Sequence, residues 1–282
     1  MIFRGQSSIP DVRLLTPSDI PACMRLKDAA GWNQTETDWR NLLVLAPDGC
    51  FGIDCDGELR ATTTAVCFGQ ELAWIGMVLT QREYQRRGLA RGLMEHALQY
   101  LRKRSVAWIK LDATELGVPL YESLGFREEG RIERWIRPMG DAPGGHSSAG
   151  PFAPDSALDR EAFGADRSRL LNLLAGIESA STAGMGFAMG RPGSMAAYFG
   201  PCVARSAKAA RDLLAWFLHR YEQEDVYWDI LAVNTDAVEI AREFGFERRR
   251  ELARMALADA KNPSPLRNRD SLVFATAGFE FG

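Results

Sequence analysis

A six-residue stretch, Gln85-Arg86-Arg87-Gly88-Leu89-Ala90, lies between an apolar, strand-like run from Trp74 to Thr80 and a helix-like run from Arg91 to Arg102. A strand that feeds a helix through a loop with a small residue at the helix start gathers backbone N–H groups at the positive helix end. That arrangement suits a pyrophosphate. The expected ligand is therefore a nucleotide-type cofactor. Two common phosphate loops are excluded by spacing, because the chain has no Gly-x-x-x-x-Gly-Lys-Ser/Thr and no Gly-x-Gly-x-x-Gly after a strand. What it carries is Gln-x-x-Gly-x-Ala.

With Val78-Leu79-Thr80 ahead of it and Leu120-Tyr121-Glu122-Ser123-Leu124-Gly125-Phe126 behind it, this motif resembles the GNAT superfamily of acetyl-CoA-dependent acetyltransferases over about residues 11 to 137. The resemblance implies an α/β (α+β) unit, a mixed and mostly antiparallel sheet flanked by helices. It also implies acetyl-CoA as co-substrate, with no metal. Carried over residue by residue, Val78, Leu79 and Thr80 offer backbone groups to the pantetheine arm, as an unpaired strand edge can. Gln85, Arg86, Arg87, Gly88, Leu89, Ala90 and Arg91 hold the pyrophosphate, the arginines adding charge-assisted contacts; a solvated basic face is the alternative for those side chains. Thr114 stands where many relatives have an asparagine that touches the cofactor.

Acetyl transfer to an amine needs a neutral amine, a polarised thioester carbonyl and a proton for the departing thiolate. Tyr121 matches the tyrosine of the family's Tyr-x-x-x-Gly-Phe pattern, which implies a proton donor to the CoA sulfur; a core aromatic is the alternative. The general base departs from the better-known members, since Trp74 and Ile109 occupy the strand positions where relatives carry a glutamate. Asp112 is the nearest ionisable substitute, with a buried capping aspartate as the alternative and ordered water as a third route. The acceptor pocket of the superfamily forms around the first two helices. Here that loop contains Trp32, Asn33, Gln34 and Trp39, which could take a flat or cationic amine by stacking and cation–π contact. The competing reading packs both tryptophans in the helix pair, with Thr37 as a cap.

Residues 138–154 are dense in Gly, Pro and Ser without helical or strand period, and read as a linker between a cofactor-binding unit, 1–137, and a second unit, 155–282. His146 within it reads as a solvated loop residue. Set beside the residues 120 positions later, 88–135 gives 11 identities in 48 pairs without a gap, among them Trp108/Trp228, Leu111/Leu231, Gly125/Gly245, Phe126/Phe246 and Arg134/Arg254. An internal duplication follows. The copy is degenerate: its loop, Arg205-Ser206-Ala207-Lys208-Ala209-Ala210, is shorter and has no glycine, and Ala241 replaces Tyr121. Residues Ala157 to Arg167 also resemble the signature of bacterial acetyltransferases with an acetyltransferase-like C-terminal extension.

Within the first unit, strands are expected at 11–15, 51–54, 59–68, 72–80 and 106–111, with a final strand pair from Phe126 to Trp135. Helices are expected at 18–30, 37–44, 88–104 and 117–124. In the second unit the pattern gives helices at 168–175, 207–221 and 236–244 and strands near 184–189, 195–203, 226–233 and 252–257, and the apolar run Ser271 to Ala275 reads as a last strand packing back on the body.

A chain of 282 residues, 46% hydrophobic and 25% charged, is an ordinary globular protein. A net charge of −3 argues against a general nucleic-acid or anionic-membrane binder. No apolar run approaches a membrane span, and the segment 1–8 lacks the apolar region of a signal peptide, so a cytoplasmic location is expected. Cys23, Cys50, Cys55, Cys67 and Cys202 are scattered, which supports neither a disulfide framework nor a zinc site. The expected activity is N-acetylation of a primary amine on a small-molecule or amino-acid-like acceptor. A protein or peptide acetyltransferase and an acyl-CoA-binding sensor are the alternatives. The second unit is expected to wall the acceptor site, so that a chain ending near Pro138, provided it folds, keeps acetyl-CoA binding and loses acceptor turnover.

Overall fold

The computed structural model describes residues 11–141, 147–153, 155–258 and 264–282; the segment 1–8 and His146 lie outside them. The N-terminal half runs β1 (Val12–Leu14), α1 (Ile20–Ala29), α2 (Glu36–Leu45), β2 (Cys50–Cys55), β3 (Glu58–Phe68), β4 (Leu72–Thr80), α3 (Leu89–Lys103), β5 (Trp108–Ala113), α4 (Val118–Ser123) and β6 (Arg127–Arg137). The remainder runs β7 (Gly150–Pro151), α5 (Ser156–Phe163), α6 (Ser168–Ala175), β8 (Glu178–Thr182), β9 (Gly186–Arg191), β10 (Ala197–Ala204), α7 (Ala207–Leu218), β11 (Val226–Leu231), α8 (Thr235–Glu243), β12 (Glu247–Ala258) and β13 (Val273–Ala275). Among the described residues no helix is long and apolar enough to cross a membrane. Cys23, Cys50 and Cys202 are buried and Cys55 and Cys67 half-buried, all as free thiols.

Local rules account for most of these elements. Asp56 and Gly57, both at positive φ, form the hairpin turn between β2 and β3. Helix α2 starts at a capping box in which Thr35 and Asp38 satisfy each other's backbone amides, so Thr35 and not Thr37 is the cap. Helix α3 buries Leu89, Leu93, Met94, Ala97, Leu98 and Leu101 along one stripe. Each such side chain contributes roughly 1.5–3 kcal/mol against the sheet.

The strand pair expected from Phe126 to Trp135 is instead one unbroken strand, β6, and its neighbours come from the other half. The sheet order is β1-β2-β3-β4-β5-β12-β6-β11-β10-β9-β8-β7, so β12 inserts between β5 and β6 while β6 lies between β12 and β11. The two halves exchange their last strands and share one continuous sheet. Two buried ion pairs lock the exchange. Arg254 on β12 donates through Nε and Nη2 to both oxygens of Asp112 on β5, each at 2.9 Å. Arg134 on β6 donates the same way to Asp229 on β11, at 2.7 and 2.6 Å.

This pseudo-symmetry also corrects the gapless alignment. The two arginines lie 120 positions apart and their aspartates 117, so β11 is displaced by three residues against β5. Trp108 and Trp228 are therefore not equivalent in space, and only Trp228 is fully buried. One apolar core also spans both halves, joining Trp39, Leu42 and Trp74 to Leu158, Leu170 and Phe187.

Candidate active site and family membership

Strands β4 and β5 pair in parallel only over Leu72–Trp74 against Trp108–Lys110, and then diverge. A register shift against β3 and a positive φ at Met77 mark a bulge where the divergence begins. Beyond it, among the described residues, the β5-facing edge of Val78 to Thr80 has no strand partner, and backbone groups there, other than the Thr80 carbonyl that Gln85 reaches, are open to an extended ligand. Eight residues connect β4 to α3, ending at Gly88, whose φ of 87° lies in the left-handed region. The first-turn amides of α3 then face outward without a side-chain cap. A splayed strand pair leading to an uncapped helix end fits a pantetheine arm followed by a pyrophosphate.

The arginines at this end are exposed. Arg87 lies 4.7 Å over the Tyr84 ring, Arg91 donates to Ser123 Oγ at 2.8 Å, and Gln85 Nε2 donates to the Thr80 carbonyl at 3.2 Å. Arg86 adopts a φ of 60°, which bends the chain before Gly88.

The corresponding gap in the second half is filled by the chain itself. Strands β10 and β11 pair in parallel only over Ala197–Phe199, and β13 pairs with β10 at Cys202 and Val203 beyond that point. Trp228 Nε1 and Asn234 Nδ2 donate to carbonyls of Phe274 and Val273, which fix the inserted strand. Only Arg205 and Ser206 connect β10 to α7, and Ser206 Oγ accepts from the Ala209 amide. A helix end capped by its own serine has given up the amide an anion would use.

After β13 the chain crosses to the first half. Gly76 on β4 is where it passes: a Cβ there would lie 2.9 Å from the Glu280 Cα. Trp74 Nε1 donates to the Phe279 carbonyl at 2.9 Å. The positions where relatives carry a base on β4 are thus covered by residues 279 and 280, and a cleft forms between the halves. Trp32, Gln34, Val78, Thr114 and Tyr121 line it from one side, and Arg250, Leu252, Phe279 and Glu280 from the other.

Tyr121 is buried at the cleft wall, edge-on to Phe126 with ring centroids 6.1 Å apart. Burial raises its pKa, so the phenol is protonated at neutral pH. Glu280, which sequence reasoning missed, is the carboxylate that the C-terminal half brings to the cleft. Its Oε2 accepts from Gln34 Nε2 at 2.6 Å and its Oε1 from Arg191 Nη2 at 2.7 Å. Arg191 is shared, because its Nε donates to Asp38 Oδ1 at 2.9 Å. Burial and then, on the raising side, the charge of Asp38 push the Glu280 pKa up, with Arg191 opposing.

Three residues assigned to the site from sequence do other work. Asp112 reaches the cleft, but both its oxygens are held by Arg254, so it braces the strand exchange and is removed from the base role. Trp39 has no exposed surface and belongs to the core below α2. Asn33 accepts from the amides of Met195 and Ala196 and donates to the Ala196 carbonyl, which pins the loop before β10 and commits its carbonyl oxygen and one of its two N–H groups there. Trp32 and Gln34 do line the cleft.

Residues 20–126 match the acetyltransferase (GNAT) family profile, and residues 156–275 match a second acetyltransferase (GNAT) domain profile. The chain belongs to the GNAT family. It carries two GNAT domains in tandem and is an acyl-CoA-dependent N-acetyltransferase. An uncharacterized N-acetyltransferase, YitH, of Bacillus subtilis is 28% identical over 247 residues, which cover 81% of this chain and 85% of that one. A shorter stretch of 49 residues is 49% identical to the [ribosomal protein bS18]-alanine N-acetyltransferase of Escherichia coli, covering 16% of this chain and 33% of that enzyme. A crystal structure from Pyrococcus horikoshii, described as a candidate acetyltransferase, superposes with a TM-score of 0.85 at 23% identity over 98% of this chain and 96% of that one, and so shares the fold.

The GNAT family uses acetyl-CoA as co-substrate, and the uncapped start of α3 leads to a test of where it binds. One equivalent of acetyl-CoA per chain is expected by calorimetry. A Gly88→Val variant is expected to weaken binding at least tenfold, because a β-branched residue is strained at that φ and its side chain crowds the phosphate approach. Two equivalents in the wild-type protein, or unchanged affinity in the variant, would contradict this placement.

Proposed function

We propose that this GNAT protein acetylates a primary amine on a small-molecule or amino-acid-like acceptor in the cytoplasm, with a single acetyl-CoA site in the N-terminal half. The observation that carries the reading is the cleft itself, in which Tyr121 from one half and Glu280 from the other face the same enclosed space beside the splayed edge of β4. Residues 1–137 would then supply the cofactor surface, and residues 155–282 the acceptor wall.

Acetyl-CoA bound along Val78 to Thr80 brings its thioester to the cleft. Glu280 takes a proton from the acceptor ammonium, and the neutral amine attacks the thioester carbonyl carbon. The attack forms the C–N bond and a tetrahedral intermediate; its collapse breaks the C–S bond, and Tyr121 gives the departing sulfur its proton. A carboxylate whose pKa is raised by burial is a stronger base than a solvated one, which is the property this step needs. Gln34 and Arg191 hold the carboxylate in place from its two oxygens. The second nitrogen proton passes to solvent, and protonated Glu280 and the Tyr121 phenolate are reset by proton exchange through water.

Glu280→Gln tests the assignment. Turnover is expected to fall by about 10²–10⁴-fold, the usual worth of a general base, with acetyl-CoA affinity kept. The sign of the pH dependence follows from the raised pKa: wild-type kcat/KM is lost as pH falls through a value above the ordinary carboxylate range, and the variant loses that limb. An unchanged acidic limb in the variant would remove Glu280 from the reaction.

A further inference from the structure

The cleft contains one cation without an ion-pair partner among the described residues. Arg250 projects from β12 into the space lined by Tyr121, Gln34 and Glu280, yet among the described residues it has no carboxylate partner, and its buried Nε has no hydrogen-bond acceptor. The nearest carboxylates are already committed: Asp229 to Arg134, Asp112 to Arg254 and Glu280 to Arg191. The strand register sets Arg250 opposite Arg134, and both guanidinium carbons lie over the Phe279 ring, at 5.2 and 4.4 Å. Burial and then the neighbouring charge of Arg134 depress its pKa, a measure of how poorly the cation is compensated. A guanidinium placed in this way is costly unless an anion joins it.

Around Glu280 and Gln34 the cleft has the reverse character. Arg191 serves two carboxylates, Asp38 and Glu280, which leaves that network one negative charge in excess. Beside Glu280, the Gln34 carbonyl oxygen is buried without a donor. The cleft therefore presents acceptors for an ammonium at Glu280 and Gln34, and donors in a fork at Arg250.

Resting on the reading of the cleft as an amine-acetylating site, we propose that the acceptor carries a carboxylate as well as its amine, as a free amino acid does, and that Arg250 is the specificity residue that binds the carboxylate. The planar guanidinium matches a carboxylate in a bidentate contact, while the ammonium lies at Glu280 and Gln34 before it loses its proton. This pairing turns the acceptor's amine toward the base and the thioester, so Arg250 sets orientation as well as affinity.

The test compares amino acids with their carboxamides as acceptors for the full-length protein, in the wild type and in Arg250→Gln and Arg250→Lys variants, with CoA release as the readout. The carboxamide's amine is less basic and more readily neutral, so any preference for the acid must come from binding the carboxylate. Wild-type kcat/KM is expected to favour the acid at least tenfold, the worth of one hydrogen bond to a charged group. Arg250→Gln is expected to bring the ratio to about one by lowering the acid's kcat/KM some 10–100-fold, with the acetyl-CoA KM unchanged, and Arg250→Lys is expected to recover part of the preference. Because Arg250 has no ion-pair partner among the described residues, and loss of its contact with the Phe279 ring is set against relief of its repulsion with Arg134, the melting temperature of Arg250→Gln should not fall.

Equal use of acid and amide by the wild type, a preference that survives Arg250→Gln, or a loss confined to the acetyl-CoA KM would overturn this assignment while leaving the enzyme reading intact. No CoA release with any acceptor would overturn both.

Discussion

Cutting the chain after Arg137 is expected to leave an N-terminal half that does not fold. Without β12, strand β5 loses its antiparallel partner over Trp108–Ala113, keeping β4 only at Trp108–Lys110, and β6 loses neighbours on both sides. Asp112 loses Arg254 and Arg134 loses Asp229, and both groups are buried. Removing one partner of a buried pair costs roughly 3–5 kcal/mol, so two such losses approach the total stability of about 5–15 kcal/mol that a folded protein has. Exposed strand edges would add aggregation.

This outcome replaces the simpler expectation that a protein ending near Pro138 keeps acetyl-CoA binding. The two halves produced as separate chains, 1–141 and 147–282, should each be insoluble alone and should recover a folded, acetyl-CoA-binding complex when co-expressed. A monomeric 1–137 fragment with a cooperative thermal transition would show that the exchanged strands are dispensable.

Tyr121→Phe is expected to lower kcat by about 10²–10⁴-fold while acetyl-CoA affinity stays within threefold, because the phenolic proton is required only as the thiolate leaves. The substitution keeps the ring that packs edge-on to Phe126 and against the backbone at Gly117, so the fold is unaffected. Burial holds the phenol protonated well above neutral pH, which lets it donate across the working range. Rapid-quench measurement of the acetyl-transfer step, alongside calorimetry with acetyl-CoA, separates chemistry from binding. Turnover within threefold of the wild type would assign Tyr121 to packing.

Sequence and tertiary structure divide this protein along a physical line. Features that depend on neighbours within a dozen residues were legible in the chain: the hairpin at Asp56-Gly57, the amphipathic stripe of α3, the Gly88 loop ahead of it, and Tyr121 before Gly125-Phe126. So was the degeneracy of the second copy, since a missing glycine and a shortened loop are local facts.

What the sequence could not state was which strand lies beside which, because the strand period of two says which face a residue takes and nothing about its partner. Hence Phe126 to Trp135 reads in the sequence as a pair of strands, when it forms one strand whose neighbours are β11 and β12. Asp112 and Arg254 are 142 positions apart, and Gln34 and Glu280 are 246 apart. No pattern within either segment announces the other. The retained apolar run at Val273–Ala275 did signal a strand, but only the open gap beside β10 explains where it goes, and only its continuation past Gly76 brings Glu280 to the cleft. Trp39 and Trp32 look alike in the chain, yet the former is sealed in the core and the latter faces the cleft, because burial is decided by what packs from elsewhere. The chain by itself determined the family pattern and the glycine loop ahead of α3; the cleft, with Tyr121, Arg250 and Glu280 along it, exists only once the two halves have exchanged strands.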